Sequence, residues 1–476
     1  MVRRTQRAAL LTLAMINVFT LAAGIATARM LPPRLAALRV PSVAASPVSG
    51  PGTVLAAGTE RGLLPTASGL RSALAGPLSA AALGPDVSAL VADPATGQVL
   101  LSEQGSRLAT PASTTKLATS AAALAVLGAN ARFRTRVVRG TTADSIVLVG
   151  GGDPTLAVNA YPAQDYPAPA TLANLAAATA RALKAQHRTT VSVGYDTSLF
   201  TGPLLAPGWP ESYVSSGNVT PIVSFEVDQG RLTAAGSSED SDDPSNLRPR
   251  ATDPAAMAAA SFAALLAADG IGVTGPPVAQ TASAPAATLA SVSSPPLSAI
   301  VQQMLTESNN VIAEDLARQV ALATGEPASF SGAAAAVTSE LRRLGVSTGI
   351  RLVDGSGLSP QDAIAPATLV KVLELAIAAP RLRPLLAGLP VAGFSGTLSA
   401  GQSVFSGIGG AALGSVRAKT GNLVTVTALA GMVSDQGGAL LVFAFMADHI
   451  PAERLLDAAA NAIDKAATAL AGCGCR

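Results

Sequence analysis

The stretch Pro111-Ala112-Ser113-Thr114-Thr115-Lys116-Leu117-Ala118-Thr119-Ser120-Ala121-Ala122-Ala123-Leu124-Ala125-Val126-Leu127-Gly128 decides how this chain is read. Pro111 and Ser113 are residues that start helices, Leu117, Ala121, Leu124 and Ala125 keep a helical apolar spacing, and Gly128 is a natural stop. Ser113 and Lys116 therefore belong one turn apart on one face, at the start of a buried helix. A serine hydroxyl is a weak nucleophile until a base takes its proton, and a lysine does so when burial and a second cation hold its amine neutral. A capped helix with a surface lysine carries the same local pattern, so the rest of the chain has to decide.

The 476 residues suffice for two or more domains with sizeable cores. A net charge of +2 without basic clusters, and aromatics at only 3%, exclude a nucleic-acid partner. Arg3, Arg4 and Arg7 precede an uncharged run from Ala8 to Ala28 that ends in Ala26-Thr27-Ala28, the pattern of an export segment. Residues 1–28 are read as a signal peptide, cleaved after Ala28, or as a retained N-terminal membrane anchor. Either way the remainder is placed outside the cytoplasm, in the periplasm or cell wall. Cys473 and Cys475 are the only cysteines, so a disulfide framework is not expected, and the pair reads as an incidental tail rather than a metal site.

Residues 29–84 are rich in Pro, Ala, Gly and Ser and read as a flexible linker. From Val87 the pattern changes to two strands, Val87 to Ala92 and Gln98 to Leu101, joined by the turn Asp93-Pro94-Ala95-Thr96-Gly97. A middle region, residues 135–285, carries strand-like Ser145 to Val149, Thr190 to Val193 and Val223 to Val227, and a helix near Ala170 to Ala185. Its Gly150-Gly151-Gly152 lacks the G-K-[ST] of a phosphate loop, and the acidic run Gly236 to Asp253 lacks the glycine and terminal glutamate of a calcium loop. After the Pro/Ser/Ala-rich Ser283 to Pro296 come two helices flanking Ser308-Asn309-Asn310, then three strands at Ser415 to Thr420, Val424 to Val433 and Leu440 to Met446, and a closing helix from Pro451 to Leu470. The first hairpin and the last meander are too short to stand alone. Joined, they make one five-stranded antiparallel sheet flanked by helices, an α+β fold. Residues 85–134 and 286–470 then form one domain, with 135–285 inserted as a mainly β region.

Lysine occurs only at 116, 184, 371, 419 and 465, and only Lys116 has a serine three residues before it. Lys419 opens the single Lys419-Thr420-Gly421, on an expected strand. S-x-x-K, S-x-N and K-T-G in that order form a set of motifs that serve serine acyl transfer. A second S-x-N lies at Ser216-Gly217-Asn218, but in the Gly/Pro-rich middle, whereas Ser308-Asn309-Asn310 sits at a helix junction of the recurring domain, where rigid support is available. Ser113 is then the nucleophile and Lys116 its base, kept neutral partly by the like charge of Lys419. Asn310 is placed to hydrogen-bond either the lysine amine or a substrate amide, and Ser308 to relay a proton to the leaving amine. Lys419 and Thr420 offer charge and a hydroxyl to a terminal carboxylate. Gly421 lets a substrate backbone lie close, and the N–H groups of Ser113 and Asn422 are candidates for an oxyanion hole. No metal and no cofactor is expected.

With these motifs the chain resembles the penicillin-binding D-alanyl-D-alanine carboxypeptidases and endopeptidases of the class C low-molecular-mass type, over about residues 85 to 450. Gly152-Asp153-Pro154-Thr155-Leu156, Asp354-Gly355-Ser356-Gly357-Leu358-Ser359, Leu389-Pro390-Val391-Ala392-Gly393 and Gly396-Thr397-Leu398 carry the likeness further. Ser308 lies 195 residues beyond Ser113, which suits this family's inserted domains and not a compact β-lactamase. The resemblance implies a penicillin-binding, β-lactamase-like transpeptidase fold. It also implies hydrolysis of peptidoglycan stem peptides through an acyl-serine, and acylation of the same serine by β-lactams. It further implies that Asp153, from the inserted region, reaches the amine of a diaminopimelate side chain. An arginine that commonly follows the D-G-S-G-L-S motif in the family is replaced here by Pro360, so the side-chain carboxylate is expected to be amidated or met by another residue.

Three rival readings fit the chain less well. A serine β-lactamase needs a deacylating base, and no E-x-x-L-N style segment follows Ser308. A Ser-His-Asp hydrolase would show a G-x-S-x-G or a serine partner for His187 or His449, and neither is present. A silent wall-binding scaffold would have no use for an intact nucleophile and base.

Overall fold

The computed structural model describes residues 62–160, 167–232, 248–400, 405, 410–451 and 456–475. The export segment 1–28 and the acidic stretch 236–247 lie outside the described residues. The strands are β1 (Asp86–Asp93), β2 (Gln98–Glu103), β3 (Arg134–Arg139), β4 (Ser145–Val149), β5 (Thr190–Asp196), β6 (Gly272–Val273), β7 (Val278–Ala279), β8 (Thr288–Ser293), β9 (Ile350–Arg351), β10 (Ala363–Ile364), β11 (Val416–Leu423), β12 (Val426–Ser434) and β13 (Leu440–Asp448). The longer helices are α1 (Ala67–Leu78), α2 (Thr115–Leu127), α3 (Leu172–Lys184), α4 (Pro254–Ala268), α5 (Leu297–Thr306), α6 (Asn310–Thr324), α7 (Phe330–Arg343), α8 (Pro366–Ala378) and α9 (Leu456–Ala471).

The first hairpin and the last meander do join. The five-stranded sheet runs β11-β12-β13-β1-β2, with Val91 opposite Phe443 and Leu429 opposite Phe445 in antiparallel register. β12 and β13 are buried almost throughout, because helices cover both faces. Ala428, Ala430, Ala444 and Met446 face a core built with α2, α5, α6 and α8, which contribute Leu117, Leu124, Ile300, Leu316 and Leu373. The alternate residues Leu429, Phe443 and Phe445 pack against Leu70 and Leu74 of α1 and Ile463 and Leu470 of α9. Each such side chain contributes about 1.5–3 kcal/mol by leaving water.

That second layer corrects one expectation. Residues 62–84 are not linker: Thr66 caps α1 by accepting from the Gly69 N–H at 3.1 Å, and Leu70 and Leu74 are fully buried. Pro65, which made the stretch look unstructured, falls before the cap, where a missing N–H costs little, and Pro77 is the last residue but one of α1, where the helix ends. The tail cysteines also differ from expectation. Cys473 and Cys475 are joined in a disulfide, and the Cys475 carbonyl accepts from the Thr66 N–H at 2.9 Å, tying the end of the chain to α1.

Between β2 and α5 the chain builds a second sheet of order β6-β5-β4-β3-β8, with β7 also on β5. β4 and β5 are parallel, Ser145 opposite Ser192, and α3 makes the crossover; β3 is antiparallel to both β4 and β8. α3 and α4 cover one side through Leu175, Leu183, Phe262 and Leu266, so helices and strands share this region. Because Arg134 pairs with Ser293, the sheet closes at Ser293 and the return falls at Ser294 rather than at residue 286. Val223 to Val227, expected as a strand, is buried without strand pairing; it follows the glycine triplet, with the Gly152 N–H donating to the Ser224 carbonyl at 2.8 Å. A fourth apolar cluster, Phe200, Trp209 and Ile222 with Val311, Phe330 and Leu358, seats this region on α6 and α7. Among the described residues no helix is long and apolar enough to cross a membrane.

Candidate active site

Ser113 lies in the 3-10 turn Ala112–Thr114 that leads into α2. Ala112 holds a left-handed φ of 47°, and the Thr114 hydroxyl donates back to the Pro111 carbonyl at 2.7 Å, so the turn is fixed from within. Lys116, fully buried, sits in the first turn of α2 with Nζ 2.9 Å from Ser113 Oγ. The same nitrogen donates to Asn310 Oδ1 at 2.7 Å and to the Ser356 carbonyl at 2.8 Å. An ammonium satisfies all three partners as a donor. A neutral amine keeps the two oxygen acceptors and turns its lone pair to the serine proton. Burial brings Lys116 down to about 7, against the opposing pull of Asp354, Glu314 and Asp362.

Desolvation dominates at Lys116, and Asp354, Glu314 and Asp362 oppose it. Lys419 is fully buried as well and is held well below its ordinary value by burial first and by the charge of Lys116 second, a repulsion that is reciprocal between the two amines. Lys419 Nζ donates to Ser308 Oγ at 2.8 Å and to the Thr420 carbonyl at 2.9 Å.

Ser308, Asn309 and Asn310 form the junction of α5 and α6. Ser308 takes a left-handed φ of 57°, and Asn309 caps α6 by accepting from the Ile312 N–H at 3.1 Å. That kink sends the Ser308 hydroxyl to Lys419 and the Asn310 amide to Lys116, so one turn of chain meets both lysines. The Asn310 amide's Nδ2 donates to the Asn218 carbonyl at 2.8 Å, which fixes the amide with Oδ1 toward the lysine.

β11 is an edge strand. Its first part is covered, since the Ala418 N–H donates to the Pro390 carbonyl and the Ala392 N–H to the Val416 carbonyl, each at 3.0 Å. Strand alternation then puts the N–H groups of Thr420 and Asn422 on the same side, beyond the cover. A Cβ on Gly421 would lie 2.6 Å from the Pro111 carbonyl and 3.2 Å from the Ser113 N–H nitrogen, so glycine alone lets the strand approach the turn that carries Ser113. The Thr420 hydroxyl is 2.8 Å from that of Thr397. Ser113, Lys116, Ser308, Asn310, Lys419, Thr420 and Gly421 are thus brought together by hydrogen bonds and close backbone approach. The exposed side chain of Asn422 turns away to accept from the Thr427 hydroxyl at 2.9 Å.

A family model described as the D-Ala-D-Ala carboxypeptidase 3 (S13) family matches residues 70–248 and 226–470. The chain belongs to that family. It is 38% identical over 419 residues to the carboxypeptidase DacB of Mycolicibacterium smegmatis, spanning 86% of this chain and 85% of the relative. It is 31% identical over 419 residues to the D-alanyl-D-alanine carboxypeptidase of Actinomadura sp., spanning 74% of this chain and 76% of the relative. Among solved structures, penicillin-binding protein 4 of Haemophilus influenzae superposes with a TM-score of 0.66, covering 84% of this chain and 99% of the other at 22% identity. The fold of this S13 chain is thus shared with a penicillin-binding protein.

Asp153 stands apart from the cleft's hydrogen bonds. Its Oδ1 accepts from the N–H and the hydroxyl of Thr155 at 2.9 and 2.7 Å, and Oδ2 is buried without a hydrogen-bond partner. Burial lifts its carboxyl to about 6. Several contributors escaped the sequence reading. The Asp354–Ser359 loop, noticed only for its likeness, supplies the Ser356 carbonyl to Lys116. Glu314 underpins that loop by accepting from the Ser356 N–H at 2.8 Å and the Gly355 N–H at 3.0 Å. Asp354 accepts from the indole of Trp209, in the inserted region, at 2.8 Å. The set-aside Ser216-Gly217-Asn218 reaches the site through a backbone carbonyl, a contact without any side-chain signature.

Proposed function

We propose that this chain is a serine D-Ala-D-Ala carboxypeptidase that trims peptidoglycan stem peptides, with Ser113 as nucleophile and Lys116 as base. The observation that carries the reading is the 2.9 Å contact between Ser113 Oγ and a buried Lys116 Nζ whose pKa lies near 7. Ser113 Oγ attacks the carbonyl carbon of the penultimate D-alanine while its proton passes to Lys116. The oxyanion develops between the N–H groups of Ser113 and Asn422, the latter on the free side of β11. As the C–N bond breaks, the leaving D-alanine amine takes a proton from Lys116 through the Ser308 hydroxyl. Water then attacks the acyl-serine, giving up its proton to Lys116, and Ser113 recovers its own as the trimmed peptide departs. Lys419 and Thr420 meet the terminal carboxylate, which returns Lys419 to its charged form by supplying the counter-charge that burial denies it. A cross-linked stem peptide offers the same D-alanyl acyl group, so endopeptidase cleavage is the second activity of this cleft.

β-Lactams acylate Ser113 by the same attack. The uncharged Ala8–Ala28 run behind Arg3, Arg4 and Arg7 supports export, by a cleaved signal peptide or an N-terminal anchor. Asp153, with an unpaired Oδ2, serves the amine of the stem-peptide side chain. Pro360 in place of an arginine favours a substrate whose neighbouring carboxylate is amidated.

The test is intact-mass measurement after penicillin treatment, with digestion to locate the adduct. A stoichiometric adduct on Ser113, absent from Ser113→Ala, is expected, together with release of D-alanine from a pentapeptide. An adduct elsewhere, or a fully labelled Ser113→Ala protein, overturns the assignment. Rapid loss of the adduct would favour a β-lactamase.

A further inference from the structure

The Asn310 amide is oriented by a carbonyl from the inserted region, and the neighbouring Asn309 is reached from there as well: Asn309 Nδ2 donates to Gln229 Oε1 at 2.8 Å. These two contacts come from separate loops, Gly217-Asn218 and Asp228-Gln229-Gly230. The second loop is strained. Asp228, Gln229 and Gly230 take consecutive left-handed φ values of 48°, 54° and 68°, where each non-glycine residue costs about 1–2 kcal/mol. Such a turn persists only if its surroundings over-determine it.

One buried side chain holds both loops. Arg250, 7% exposed, donates from Nε to the Gly217 carbonyl and from Nη1 to the Gln229 carbonyl, each at 3.1 Å. Its own backbone is anchored, its N–H to the Val214 carbonyl at 3.0 Å and the next N–H, of Ala251, to the Gly230 carbonyl at 2.7 Å. A planar guanidinium with fixed donor directions sets the spacing between two carbonyls in a way that a lysine cannot.

We propose that Arg250 is a positioning residue for acyl transfer. By bridging the Gly217 and Gln229 carbonyls it holds the two loops that grip Asn309 and Asn310, and so keeps Asn310 Oδ1 on the amine of Lys116. The inference rests on the acyl-serine reading above and extends it: the inserted region takes part in catalysis by orienting an amide two contacts away from the nucleophile.

The experiment is a double-mutant cycle on the rate of acylation by fluorescent penicillin, using the full chain with and without Asn310→Ala. Arg250→Ala should slow acylation about ten-fold or more in the native background and change it by less than about two-fold when Asn310 is already alanine, because the route it acts through is gone. Arg250→Lys keeps a positive charge for the buried Glu226, which guards against loss of folding, checked by thermal melting. It too should acylate about ten-fold more slowly, since a point charge cannot span both carbonyls. Native-like acylation by Arg250→Lys, or an equal loss in both backgrounds, overturns the proposal while leaving Ser113 labelling, and so the functional reading, intact. An unlabelled native protein overturns both.

Discussion

The pH dependence of acylation follows from the burial of Lys116. Moving its pKa from 10.5 to about 7 corresponds to roughly 5 kcal/mol against the ammonium. At neutral pH about half of the molecules then carry the free amine; an ordinary lysine would offer about one in three thousand. With Lys116 as the proposed base the neutral amine is the active form, and the second-order rate of penicillin acylation should climb about ten-fold per pH unit in acid and level off above a midpoint near 7. The assay is a time course of fluorescent-penicillin labelling between pH 5 and 9, where the inhibitor's own carboxylate stays ionised. Glu314, pushed up to about 7 mainly by burial, titrates in the same window, so the profile is repeated with Glu314→Gln. Removing that carboxylate takes away one of the charges that favour the ammonium, so the limb should persist and move to lower pH. A rate flat from pH 5 to 8, or a midpoint near 10, would refute the reasoning.

Other outcomes follow from the same geometry. Lys419→Ala should lose most of the preference for a free over an amidated C-terminal carboxylate in matched peptides, on the order of 10–100-fold in kcat/KM, as for a charge-assisted hydrogen bond; unchanged discrimination would remove Lys419 from that role. Gly421→Ala should depress acylation with little change in melting temperature, because the added methyl presses on the Pro111 carbonyl beside the nucleophile's turn. Leu74→Ala should cost about 2–5 kcal/mol in denaturant unfolding if α1 is part of the core, whereas a linker position would shift stability by less than about 0.5. Trp209→Phe should cost about 1–3 kcal/mol by removing the indole donor to the buried Asp354 carboxylate, whose Oδ2 then keeps only the Ser359 N–H, read in the same unfolding experiment.

Much of the cleft was legible because three short motifs name their own chemistry. A lysine pair scarce elsewhere in the chain, and strands flanking Lys419, marked the edge that faces Ser113. The five-stranded sheet could be read because β12 and β13 are long apolar runs with a clear turn between them. What escaped depends on backbone and on packing. The Ser356 and Asn218 carbonyls are supplied by peptide groups that every residue has. The strained Asp228-Gln229-Gly230 turn has only one glycine to announce it. α1 was hidden by Pro65 and Pro77, whose meaning depends on where a helix begins and ends, and β8 by the Pro/Ser/Ala-rich segment around it.

The pairing of β1 with β13 ties the proposed reactive serine to the order in which the chain is made. Asp86 finds its partner in Asp448, and the strand bearing Lys419 has no sheet to join until that partner exists. A chain that has been made only as far as the α8 helix therefore lacks Lys419 and the β11 edge beside Ser113, and penicillin labelling should appear only once the carboxyl-terminal strands are present.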